Sequence, residues 1–122
     1  MWSNCLFVAL GGGLGAVGRY LLSLIAAPWS FPVMTLLTNF LGAVFIGAVA
    51  QAAGQLPMSK SAVLFLKTGL CGGFTTFSTF SLETVELLEQ GRWAAGGGYI
   101  LASVGLCLAG VLLGRALVWK IL

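Results

Sequence analysis

The sequence predicts an all-α membrane protein of four transmembrane helices, and three observations carry that reading. The chain is 59% hydrophobic and only 7% charged over 122 residues, whereas soluble domains are about a quarter charged. Its few charges leave residues 20–59 and 93–114 without any. A spanning helix needs about 20 mostly apolar residues, and four such stretches fit, joined by short connections. A single domain, residues 1–122, accounts for the whole sequence.

The first span is expected over 6–26. It is crowded by Gly11, Gly12, Gly13, Gly15 and Gly18, and the Gly11-to-Gly15 spacing lets a neighbouring backbone approach closely in lipid. Residues 27–32, APWSFP, form a turn with aromatic rings at interface level. The second span is expected over 33–53, followed by a loop over 54–60. The third covers 62–82 with a helical extension to 90, and QGRW at 90–93 leads into the fourth, 94–118. Four tightly packed helices leave little room for a lumen within one chain, so any transport path belongs between subunits.

Composition also excludes functions. The net charge of +3 is too dispersed for a nucleic-acid patch. Cys5, Cys71 and Cys107 share no metal-ligand spacing, and there is no His. There is no Asp, and Glu83, Glu86 and Glu89 gather at one helix end, so the chain is not expected to be an enzyme. Arg19 interrupts the first apolar stretch, and no basic residue precedes it, which is unlike a cleaved signal peptide. Lys60, Lys67, Arg115 and Lys120 lie toward the side that holds both termini, Arg19 and Arg92 toward the other. That weak bias leaves two readings under the positive-inside rule: termini in the cytoplasm, or insertion both ways up and an antiparallel dimer.

Polar residues at membrane depth point to transport. A lone Ser or Thr commonly bonds its own helix backbone, but here they align. Thr35 and Asn39 are four apart, as are Tyr99, Ser103 and Cys107, while Thr76, Ser78, Thr79 and Glu83 fall near one another on the third span. These lines offer neutral donors suited to an anion that must bind and leave. Phe77 and Phe80 present rings whose positive edges suit a small anion. Gly72-Gly73 before β-branched threonines predict a broken helix around Gly72 to Thr76, since each Gly costs about 1 kcal/mol in a helix interior. Unwound backbone at this depth is tolerated only inside protein or around a cavity. Its freed carbonyls suit Na⁺.

The segments GGGLGAVGRY (11–20), TLLTNFLGAVFIG (35–47) and GLCGGFTTFSTFSLE (69–83) together closely resemble the CrcB/Fluc family of fluoride channels over nearly the whole chain. The resemblance implies an antiparallel, dual-topology homodimer in the bacterial inner membrane, with two fluoride pores along the subunit interface. It implies Asn39 as a pore-lining amide and Phe77 and Phe80 as ring edges on fluoride. Ser78, Thr79, Thr35, Ser103 and Tyr99 would belong to the polar track, and Glu83 to a pore mouth. Gly72 and Thr75 would give carbonyls to one structural Na⁺ shared by both subunits, and Arg19 would be structural or line a vestibule, the former favoured. Fluoride would leave the cell passively, relieving the toxicity of what enters as neutral acid. Cys107 departs from the pattern, because a thiol donates weakly where a hydroxyl would donate well. Two rivals are a small multidrug exporter, which needs a membrane-embedded Glu in the first helix that this chain lacks, and an accessory membrane subunit with no flux of its own.

Overall fold

The computed structural model describes residues 1–122 and contains only helices and their connections. In chain order these are α1 (Trp2–Ser23), α2 (Val33–Gln55), α3 (Lys60–Val63), a π-helical segment (Leu64–Cys71), α4 (Gly72–Phe74), α5 (Phe77–Glu89) and α6 (Trp93–Ile121). α1, α2 and α6 are each long and apolar enough to cross a bilayer. The segment from α3 to α5 makes the remaining crossing in pieces, giving a four-helix, multi-pass membrane protein with one bent member.

The large apolar side chains face outward, as lipid requires. On α1, Leu6, Leu10, Leu14, Val17 and Leu21 recur every three or four residues and are all exposed, while Gly11 and Gly15 on another face are buried. α1 ends at Ser23, earlier than the expected 26, ahead of Pro28. Ser59 caps α3 by accepting the Ala62 amide at 3.1 Å. α5 ends at Glu89, and Gly91 beyond it, with a φ of 75°, allows Arg92 to bond the Leu87 carbonyl and Gly91 that of Leu88, closing the helix with a Schellman turn.

Glycine backbone, more than side-chain interdigitation, sets the packing. Two pairs of helices run in the same direction. The first joins α1 to the third crossing, where Gly11 and Gly15 meet Gly69 and Gly73. A Cβ on Gly73 would collide with the Gly12 carbonyl, and one on Gly11 with that of Phe65. The second joins α2 to α6, with Gly47 against Val111 and Gly114 against Val44. A conventional core exists only at one end, where Phe80, Leu87 and Tyr99 pack with Phe31, Leu36 and Ala95.

The break in the third crossing lies at the far end of the range that the sequence suggests. Thr75 (φ −84°, ψ 156°) and Thr76 (φ −148°, ψ 116°) are extended, whereas Gly72 keeps helical angles of −61° and −36°. The glycines therefore do not break the helix. Gly73 is needed for the approach to α1, and the β-branched threonines that follow adopt the extended backbone they favour.

Candidate functional site

Two extended residues in mid-crossing strand backbone groups that hydrocarbon cannot satisfy, at a cost of several kcal/mol each. Side chains from both neighbouring helices meet that demand. Asn39 of α2 donates from Nδ2 to the Thr76 carbonyl at 3.0 Å and accepts the Thr76 amide on Oδ1 at 2.8 Å. Arg19 of α1 donates from Nε to the Gly73 carbonyl at 3.3 Å. The Thr75 hydroxyl and amide both donate to the Cys71 carbonyl at 2.9 Å, and the Cys71 thiol reaches the Gly42 carbonyl at 3.6 Å. None of these bonds reaches the carbonyl of Gly72 or of Thr75.

Thr76 also starts α5. Its hydroxyl accepts the Thr79 amide at 3.1 Å, donates to the Thr79 hydroxyl at 3.0 Å and lies 3.3 Å from that of Ser78. The cap fixes the direction in which Phe77 and Phe80 leave the helix. Their ring centroids stand 5.5 Å apart at 49°. Phe80 is buried, 9% exposed, and Phe77 projects freely, 79% exposed.

Beside the break runs an open groove of about 420 Å³ between α2, the broken crossing and α6. Asn39, Phe77, Phe80 and Ser103 line it toward one end, Gly72 and Thr75 its middle, and Lys67, Ile46 and Val111 the other. Ser103 is buried, and its hydroxyl is the one buried side-chain polar atom without a hydrogen-bond partner. Asn39 spends one of its two N–H groups on Thr76, so the other is free for the groove.

Behind Phe80 the polar residues separate from this groove. Tyr99 is fully buried, its ring 5.0 Å from Phe80 and 5.4 Å from Phe31 edge-on. Its hydroxyl donates to Glu83 Oε1 at 3.2 Å, with Thr35 beside it.

The structure thus gathers Asn39, Phe77, Phe80, Ser103, Gly72 and Thr75 on one groove and places Ser78 and Thr79 next to it through Thr76. Thr35, Tyr99 and Glu83 form a second cluster behind Phe80. Arg19 lies on the α1 side, bound to the broken backbone. Cys107 lines the groove together with Ser103. Lys67 escapes a reading of the sequence as a site, and Thr76, read there only as one of a line of donors, proves also to cap α5.

The family model described as CrcB-like protein, Camphor Resistance (CrcB), matches residues 6–115. Three bacterial proteins named "Fluoride-specific ion channel FluC" are similar along nearly their full lengths. That of Ruminiclostridium cellulolyticum is 45% identical over 118 residues, covering 93% of this chain and 91% of the relative. That of a Roseiflexus species is 48% identical over 115 residues, covering 91% and 93%. That of Shewanella denitrificans is 47% identical over 122 residues, covering 97% and 98%. With its broken third crossing, its GGFTTFSTF segment and these matches, the chain belongs to the CrcB-like family.

Proposed function

We propose that this chain is a fluoride-selective channel that lets fluoride leave the cell passively across the inner membrane, as the names of its relatives suggest. The observation that carries the reading is the buried, unpartnered hydroxyl of Ser103, a residue on the lining of the groove that Asn39, Phe77 and Phe80 also line. Fluoride accepts strong hydrogen bonds, and its dehydration is offset by the Ser103 hydroxyl, the free Asn39 N–H and the ring edges. Ser78 and Thr79 continue the donors beyond the ring pair. Thr35, Tyr99 and Glu83 order the end behind Phe80, with Glu83 near the mouth. No carboxylate lines the groove, so the path supplies no proton relay, and larger halides are excluded by narrowness and weaker hydrogen bonding.

The groove is open on one side, and Phe77 projects from it. A second copy in the opposite orientation closes it and creates two equivalent paths. The Gly72 and Thr75 carbonyls, left over from the bonding at the break, fit a Na⁺ at the centre of that dimer, because the cation prefers hard neutral oxygens of unwound backbone. One chain offers only these two, so the site is complete only when both copies contribute.

Fluoride efflux from liposomes containing the pure protein, with chloride as control, tests the function. Rapid loss of fluoride with chloride retained is the expected result. Equal leakage of both ions, or none of either, returns the chain to the class of accessory membrane subunits.

A further inference from the structure

The π-helical segment carries the side chain that stands at the far end of the groove. In an α-helix the Gly72 amide would bond the Thr68 carbonyl. Here it bonds the carbonyls of Gly69 and Lys67, the latter being the i−5 partner that defines a π-helix. The wider turn sets Lys67, rather than Thr68, one turn before Gly72, and Lys67 also stands four residues before Cys71 and eight before Thr75, which line the groove as well. Lys67 accordingly lines the groove with Ile46, Leu108 and Val111, and Thr68 does not.

Lys67 is the only charged residue on the groove. It is exposed, and its apolar neighbours there give its ammonium no counter-ion. The three glutamates lie on α5, beyond the opposite end. Lys67 follows Lys60 by about two helical turns, a depth from which a long flexible stem carries its charge to an aqueous mouth. A compact, hydrated ammonium attracts an anion without gripping it bidentately as a guanidinium fork does.

We propose that Lys67, on the π-helical segment beside the groove, is the anion-gathering residue at this end of the fluoride path. The proposal rests on the fluoride-channel reading and adds to it a residue and the local geometry that positions it. The fixed charge raises the local fluoride concentration at the mouth of a low-dielectric groove, where field lines are focused. It acts on the approach of the ion and leaves selectivity to the donors and rings.

The test compares fluoride efflux from liposomes at low and high ionic strength for the wild-type protein, Lys67→Gln, Lys67→Arg and the exchange Lys67→Thr/Thr68→Lys. At low ionic strength Lys67→Gln is expected to slow efflux by about tenfold, with the gap closing as salt screens the charge. Lys67→Arg keeps the wild-type rate. The exchange variant, which retains the net charge one residue away, behaves like Lys67→Gln. Fluoride-over-chloride selectivity stays the same in all conducting variants. An unslowed Lys67→Gln, a wild-type rate in the exchange variant, or a deficit indifferent to salt overturns the proposal while leaving the channel reading intact. A wild-type rate that does not fall as ionic strength rises also overturns it, without need of any variant. Absence of fluoride flux from the wild-type protein overturns both.

Discussion

Asn39 holds both backbone groups of Thr76, donating to its carbonyl at 3.0 Å and accepting its amide at 2.8 Å. One side chain thereby replaces the two helical hydrogen bonds lost where the third crossing is extended. The same amide faces the groove, so the element that makes a break tolerable is also a candidate ligand for the passing ion.

Asn39→Ala leaves both Thr76 groups unsatisfied, at roughly 1–3 kcal/mol each. Thermal unfolding in detergent is expected to show a marked loss of stability, together with loss of fluoride flux. Asn39→Asp separates the two roles. An ionised carboxylate still accepts the Thr76 amide but cannot donate to its carbonyl, and its charge opposes an anion. Stability between that of wild type and Asn39→Ala, with flux abolished, is the expected pair of results. Wild-type flux in Asn39→Asp would remove Asn39 from the path.

Gly73→Ala tests the glycine contact between the first and third crossings. Its Cβ would meet the backbone of Gly12, which cannot move aside as a flexible side chain can. Overpacking of this kind typically costs about 1–3 kcal/mol. The control is Gly13→Ala, where a Cβ meets nothing within 4 Å and helix propensity improves by about 1 kcal/mol. Melting in detergent should therefore move in opposite directions for these two substitutions, although both replace a glycine near the same interface.

That contrast also marks what could be read from the sequence. Periodicity and the absence of charge revealed four crossings, because lipid imposes length and hydropathy on each helix independently. The Gly11-to-Gly15 spacing announced a close contact. Its partner, Gly69 with Gly73, was not legible, since spacing within one helix does not name the helix across from it. For the same reason Gly72-Gly73 looked like the break, when packing against α1 explains Gly73 and the following threonines carry the extension. That Asn39, Phe77, Phe80 and Ser103 belong together on one groove was legible, because polar or aromatic groups are conspicuous in an apolar chain. The separation of Tyr99 and Thr35 from the groove was not, as a four-residue stripe does not say where a neighbouring ring interrupts it. Lys67 was legible only as an orienting charge, because a Lys near a helix end serves the positive-inside rule as readily as a groove.

Phe80→Ile tests the ring edge. Phe80 packs on Tyr99 at 5.0 Å and on Phe77 at 5.5 Å, so isoleucine keeps apolar bulk while removing the quadrupole. Each loss of about 1.4 kcal/mol of ring-edge attraction at the barrier would slow passage about tenfold. Fluoride efflux should fall at least that far, while size-exclusion chromatography shows an unchanged oligomer. Undiminished efflux would reduce Phe80 to a packing residue.

Ser103→Ala separates stability from conduction. Deleting an ordinary buried hydroxyl strands its partner and lowers stability, but the Ser103 hydroxyl has no partner to strand. Its removal also ends the desolvation cost of an unmade hydrogen bond, about 1–3 kcal/mol. Melting should stay level or rise, whereas fluoride efflux should fall because the groove loses a donor. Cys107→Ser makes the complementary change four residues along α6, on the same groove, replacing a weak thiol donor with a hydroxyl. Efflux in that variant should hold or increase, and the double substitution should recover part of what Ser103→Ala loses. A Ser103→Ala protein that melts lower and conducts normally would show a structural hydroxyl and no contact with the ion.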